Sequence, residues 1–201
     1  MNNFFTQNGF VVIKNVLSQE ICDFAYEYMH NKAINLNTYK KFNFISNLDT
    51  DHGTFEDIQV PGAFSIYGDV LTDMFLEKVK PIVEINTDLK LQSNYSYLRI
   101  YIKGNDLKKH RDRPECEIST TLHLGGDQKW PIFLGKEEIH LNVGDMLIYR
   151  GCDFVHWREA YQGNMYCQVF LHYSDINGPL YEGIKFDGRP HLGLPGWFKN
   201  K

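Results

Sequence analysis

Leu91-Gln92-Ser93-Asn94-Tyr95-Ser96-Tyr97-Leu98-Arg99-Ile100-Tyr101-Ile102-Lys103, stopped by Gly104, sets the character of the second half of the chain. Side chains alternate along a strand, so Tyr95, Tyr97, Arg99 and Tyr101 share one face, and Leu98, Ile100 and Ile102 the other. Short runs of the same kind follow at 116–124, 131–134, 138–141, 146–150, 154–158 and 165–173. Gly125-Gly126, Gly135, Gly144-Asp145, Gly151 and Gly163-Asn164 punctuate them, and these are the residue types that turns demand. Many short strands so spaced predict a mainly β sandwich or barrel with flanking helices.

Upstream the pattern differs. Gly9-Phe10-Val11-Val12-Ile13-Lys14 reads as a strand. Ser18 then caps a helix with Glu20 in its first turn, and Ile21, Phe24, Ala25, Tyr28 and Met29 fall on one apolar face. Residues 35–62 are polar and irregular and read as a long loop, a length that often serves as a binding lid. A second helix is expected over 70–79, with Val70, Leu71, Met74, Phe75 and Val79 on one side and Pro81 just past its end. With 201 residues the chain has room for one domain. We expect a single domain over 1–201: helical support at 1–90, the β core at 91–173, and a Gly- and Pro-containing tail at 174–201 that wraps the core.

Composition narrows the function classes. A net charge of −4 with no Lys/Arg stripe beyond Lys108-Lys109-His110-Arg111 argues against nucleic acid as partner, although that local basic rim suits an acidic small molecule. Apolar runs are too short to span a membrane, and Met1-Asn2-Asn3-Phe4 lacks the basic-then-apolar pattern of a secretory leader. A cytoplasmic protein is expected. Cys22, Cys116, Cys152 and Cys167 show no paired spacing and read as reduced thiols without zinc.

His110-Arg111-Asp112, with His156 on a later strand, carries the chemistry. Two imidazoles and one carboxylate can hold one face of a divalent metal and leave positions open for other ligands, the pattern of mononuclear non-haem iron. Read alone, the same residues also fit a surface charge cluster, since Asp, Arg and Lys are mostly exposed. Such a triad fits best inside a jelly roll of the cupin type.

Taken in order, Tyr101-Ile102-Lys103-Gly104, His110-Arg111-Asp112, the strand from Cys116 to Leu124 ending in Gly125-Gly126, Gly144-Asp145-Met146-Leu147-Ile148-Tyr149 and His156 resemble the 2-oxoglutarate- and Fe(II)-dependent dioxygenases, above all the prolyl-hydroxylase-like and phytanoyl-type branches. The likeness covers about 91–173, with Asn8-Gly9-Phe10-Val11-Val12-Ile13 adding to it. It implies a double-stranded β-helix with the metal between its sheets. It also implies that His110, Asp112 and His156 ligate Fe(II), that 2-oxoglutarate chelates the metal with Tyr101 as a hydrogen-bond partner, and that O2 is consumed with release of succinate and carbon dioxide. Asp112 is also informative: family members that halogenate have a small residue there, so the resemblance implies hydroxylation or a related oxidation, and the expected reaction is hydroxylation of an unactivated C–H of a small molecule, amino acid or peptide side chain.

The chain departs from its relatives at one point. They place a Lys or Arg at the start of the last core strand to pair with the far carboxylate of 2-oxoglutarate, where this chain reads Asn164-Met165-Tyr166-Cys167-Gln168. Arg158 shares strand parity with His156, and Arg99 with Tyr101, so these are the candidate replacements. His123 shares parity with Thr121 and Ser119 and suits either a co-substrate contact or a hydrogen-bonded place in the core. Arg113 and Trp157 flank ligands and suit either substrate contact or rim packing. His30, His52, His140, His172 and His191 are given structural or surface roles. The missing cation keeps a second class open, a cupin-like metal-binding module without oxidative turnover, such as a sensor or isomerase.

Overall fold

The alternation along Leu91–Ile102 divides the molecule into two compartments. Leu98 and Ile100 join an apolar cluster with helix residues such as Ala25, Met29, Leu76 and Val79. Tyr95, Tyr97, Arg99 and, deeper in, Tyr101 face the other way, into the space between two sheets. The computed structural model describes residues 4–46, 48–179 and 185–199.

Over these residues the elements run α1 (Phe4–Asn8), β1 (Phe10–Ile13), α2 (Gln19–Lys41), β2 (Phe64–Tyr67), α3 (Val70–Thr87), β3 (Leu91–Ile102), β4 (Leu107–His110), β5 (Ile118–Gly126), β6 (Ile132–Leu134), β7 (Glu137–Ile139), β8 (Met146–Arg150), β9 (His156–Arg158) and β10 (Met165–Asp175). All pairings are antiparallel. A six-stranded sheet has the order β1-β8-β5-β10-β3-β2, and a four-stranded sheet the order β4-β9-β6-β7. The fold is a jelly roll, mainly β, with α2 and α3 packed on the outer face of the larger sheet. Among the described residues no helix is long and apolar enough to cross a membrane.

Register sets the depth of each inward side chain. His172 of β10 lies opposite Tyr95 and Ser119, Phe170 opposite Tyr97 and Thr121, and Gln168 opposite Arg99 and His123. Tyr166 lies opposite Tyr101. The interior is thus a stack of layers, polar at most levels.

The helices differ from their expected extents and faces. The first runs on to Lys41, so the loop begins near 42 rather than 35. The second runs through Pro81 to Thr87. Proline forfeits one helix hydrogen bond, but Val79 and Val83 on either side of it are fully buried and hold the helix against the sheet. Phe24, Val70 and Met74, expected on apolar faces, are exposed, while Cys22, Leu76 and Val83 are buried. β2, β4 and α1 were not anticipated.

Candidate metal centre

β4 and β9 bring the triad together. His110 lies opposite His156 in the antiparallel register, and their rings are 4.2 Å apart. Asp112, just past the end of β4, donates its N–H to the Gly151 carbonyl at 3.0 Å. Its Oδ1 is 3.4 Å from His156 Nε2 and 3.7 Å from His110 Nε2. The three potential ligand atoms lie within 4.8 Å of one another.

The backbone settles the tautomers. His110 Nδ1 is 2.8 Å from the Lys108 carbonyl, and His156 Nδ1 is 3.1 Å from the Phe154 carbonyl. A carbonyl can only accept, so each Nδ1 carries the hydrogen and each Nε2 offers a lone pair. Burial, helped by the neighbouring His156, lowers the pKa of His110 and favours its neutral form. Burial opposes ionisation of Asp112, but His156 and the Ser119 hydroxyl outweigh it and hold the carboxyl below its ordinary value. Two imidazole nitrogens and a carboxylate oxygen therefore converge, with the Tyr149 hydroxyl 3.4 Å from His156 Nε2, and a cation between them, a shared proton or a metal ion, makes that arrangement favourable.

The triad opens into a cavity of about 300 Å³ whose walls include Tyr95, Tyr97, Arg99, Arg113, Phe170 and His172. His172, expected to be structural or superficial, is therefore at the site. Parity along β10 would have placed it with Phe170 and Gln168 on the inward face. His52, His140 and His191 are exposed. Arg113 lines the cavity, donating to Asp187 at 2.9 Å, and Trp157 stacks on Phe133 outside it at 5.2 Å.

The two candidate arginines have different surroundings. Arg99 is buried and paired with Asp57 from the long loop, and it also donates to Gln59 at 3.1 Å. Burial opposes ionisation of Asp57, yet the Arg99 charge and the Tyr97 hydroxyl keep its pKa low. Arg158 is 2% exposed, lies over the rings of Trp130 (4.6 Å) and Tyr166 (5.2 Å), and donates from Nη1 to the Trp130 carbonyl. Its Nε and Nη2 make no well-formed hydrogen bond, nor does the Tyr166 hydroxyl beside it. His123, stacked on Tyr166 at 4.1 Å, leaves its buried Nε2 equally without a partner, as does Gln168 with both ends of its amide. Tyr101 is fully buried, packs on Trp130 and accepts from Arg99 at 3.4 Å.

No family model and no curated protein matches the chain. Solved structures do. A prolyl-4-hydroxylase from Pseudomonas putida aligns with TM-score 0.55 and 12% identity over 85% of this chain and 95% of that one. HygX from Streptomyces hygroscopicus, with nickel and 2-oxoglutarate bound, aligns with TM-score 0.61 and 11% identity over 85% and 84%. A viral collagen prolyl hydroxylase from Paramecium bursaria Chlorella virus-1, in complex with 2-oxoglutarate, gives TM-score 0.57 and 11% identity over 85% and 98%. The chain has the fold of the 2-oxoglutarate/Fe(II) oxygenases. On that oxygenase fold the convergent His110, Asp112 and His156 form a possible metal-binding cluster.

Proposed function

We propose that the protein is an Fe(II)- and 2-oxoglutarate-dependent dioxygenase that hydroxylates an unactivated C–H of a small molecule, amino acid or peptide side chain, releasing succinate and carbon dioxide. The observation that carries this reading is the convergence of His110 Nε2, His156 Nε2 and Asp112 Oδ1 beside a cavity. It is supported by the fold and by the buried polar atoms without partners deeper in the same barrel.

Those atoms fit the co-substrate. A guanidinium whose Nε and Nη2 make no well-formed hydrogen bond, with a phenol beside it, is the kind of group that receives a carboxylate. Arg158 is assigned the far carboxylate, with the Tyr166 hydroxyl beside it, and Tyr101 the role of a flanking hydrogen-bond partner. His123, whose Nδ1 faces the Leu141 carbonyl at 3.2 Å, presents an accepting Nε2 and is assigned to packing on Tyr166. Arg99, neutralised by Asp57, is assigned to holding the loop over the cavity instead. His110, Asp112 and His156 would hold Fe(II), which with 2-oxoglutarate and O2 supplies oxidising power that no side chain has. The walls then orient one C–H of the substrate and keep water out.

The deciding experiment is anaerobic titration of the Fe(II)-loaded protein with 2-oxoglutarate, read as the visible charge-transfer band of a chelated keto acid. A band that saturates supports the dioxygenase. Metal binding without a band would point instead to the metal-binding module without oxidative turnover.

A further inference from the structure

Asp112 has two oxygens, and the structure treats them differently. Oδ1 faces the two histidine Nε2 atoms. Oδ2 accepts from the Ser119 hydroxyl at 2.6 Å. Ser119, fully buried on β5, sits across the ladder from His172 of β10, whose Nδ1 is 3.0 Å from the Ser119 oxygen.

A hydroxyl has one proton to give. The Cys116 carbonyl is also within reach at 3.0 Å, but the bond to an ionised carboxylate is the shorter and stronger one. Ser119 therefore donates to Asp112 and accepts from His172, which fixes His172 with its hydrogen on Nδ1. The result is a directed chain from His172 through Ser119 to Asp112, made of side chains on three separate segments.

Gly151 makes room for it. A Cβ at that position would stand 2.4 Å from Asp112 Oδ2, 2.4 Å from the Cys116 carbonyl oxygen and 2.6 Å from the Ser119 hydroxyl. The carboxylate thus rests against bare backbone on one side and a hydroxyl on the other.

We infer that Ser119 and His172 are positioning residues that occupy Asp112 Oδ2 and so present Oδ1 alone to the metal. This rests on the reading of His110, Asp112 and His156 as ligands. A carboxylate offering one oxygen takes one position on the ion and leaves more of the ion's face for the co-substrate and O2. Partners of this kind set both the orientation and the basicity of a ligand.

The test is Co(II) titration of the metal-free protein, followed by absorbance, in wild type, Ser119→Ala, His172→Leu and His172→Gln. Ser119→Ala should weaken Co(II) binding by about 10–100-fold. His172→Leu should weaken it too, and His172→Gln, whose amide N–H can still donate to Ser119, should recover most of the loss. Melting of the metal-free variants is measured alongside, and a purely structural role would lower it without a selective change in Co(II) affinity. If Ser119→Ala fails to fold, the contrast between His172→Leu and His172→Gln still decides.

His110→Ala separates the two levels of the argument. If His110→Ala loses Co(II) while Ser119→Ala and both His172 variants bind like wild type, the positioning role is wrong and the ligand set stands. If His110→Ala binds Co(II) like wild type, the ligand set itself is wrong. Cys116 Sγ also lies within 4.8 Å of Asp112 and His172 ligand atoms, so a thiolate-to-Co(II) band that vanishes in Cys116→Ser would make these residues ligands and overturn the positioning role.

Discussion

Replacing Arg158 by Met separates the cost of a buried charge from its use. In the protein alone the guanidinium is 2% exposed and its Nε and Nη2 make no well-formed hydrogen bond. Burying an ion so poorly matched costs several kcal/mol. Against that stand a charge-assisted hydrogen bond to the Trp130 carbonyl, about 1.5–3 kcal/mol, and stacking on Trp130 and Tyr166, about 2 kcal/mol when desolvated. These terms nearly cancel. Arg158→Met, of similar length and apolar, should therefore leave the stability of the ligand-free protein within about 2 kcal/mol of wild type, and a rise would be as natural as a fall.

Ligand binding should respond very differently. With a carboxylate at Arg158 the pair is complete, and removing one partner of such a pair costs about 2–5 kcal/mol, or about 30- to 5,000-fold in affinity. Calorimetric titration of 2-oxoglutarate into Ni(II)-loaded protein reads this directly, and metal affinity should be unchanged because no ligand is touched. Arg99→Met serves as the contrast: it strands Asp57 and loosens the loop, so its principal effect should be on stability. Unchanged 2-oxoglutarate affinity in Arg158→Met would refute the assignment.

Other predictions follow from the same geometry. His110→Ala and Asp112→Ala should abolish Fe(II)-dependent turnover without unfolding the protein, and should erase the metal-induced rise in melting temperature, worth about 2.7 kcal/mol when free metal is 100 times Kd; a full rise in Asp112→Ala would contradict the triad. Gly151→Ala drives a methyl into Asp112 Oδ2 and the Cys116 carbonyl, so it should cost about 1–3 kcal/mol by overpacking and weaken Co(II) binding as well, which chemical denaturation and titration check. Burial holds the pKa of His123 and of His172 down at about 4, against about 6.5 in an unfolded chain. Between those values the unfolded state binds protons that the folded state does not, so the metal-free protein should lose stability as pH falls through that window, by up to about 3 kcal/mol for each His; a level melting temperature from about pH 7 to about pH 5 would contradict this.

The β core was legible because each strand is short, bounded by Gly, and alternating. Leu91–Ile102 announced both of its faces through the contrast of Tyr and Arg with Leu and Ile. The helical faces were harder to read for a physical reason visible in α3. Thr72 and Asp73 point toward the sheet: Thr72 lies 2.7 Å from the Ser96 hydroxyl, and Asp73 accepts from the Ser96 N–H at 3.0 Å and from Arg189 at 3.1 Å. Buried polar residues on the core side turn Val70 and Met74 outward, which hydrophobic periodicity cannot register. β4, Leu-Lys-Lys-His, hides for a similar reason, since only Leu107 of its four residues is buried.

The site was legible where chemistry demands a residue type and obscure where it demands only a place. A metal needs His and Asp, and those letters stand out at any position. A carboxylate anchor needs only a cation at the right depth, and every inward strand passes through that depth. β10 carries Tyr166 and Gln168 there, with β9 facing it across the interior. Two residues along a strand advance about 7 Å, so Arg158 lies about that far along β9 from His156. The guanidinium meets Tyr166 from the opposite sheet, while the backbone that bears it belongs to the strand of His156. On the proposed roles the anchor and a metal ligand would share one three-residue strand, so a change of register in β9 should disturb metal and co-substrate together.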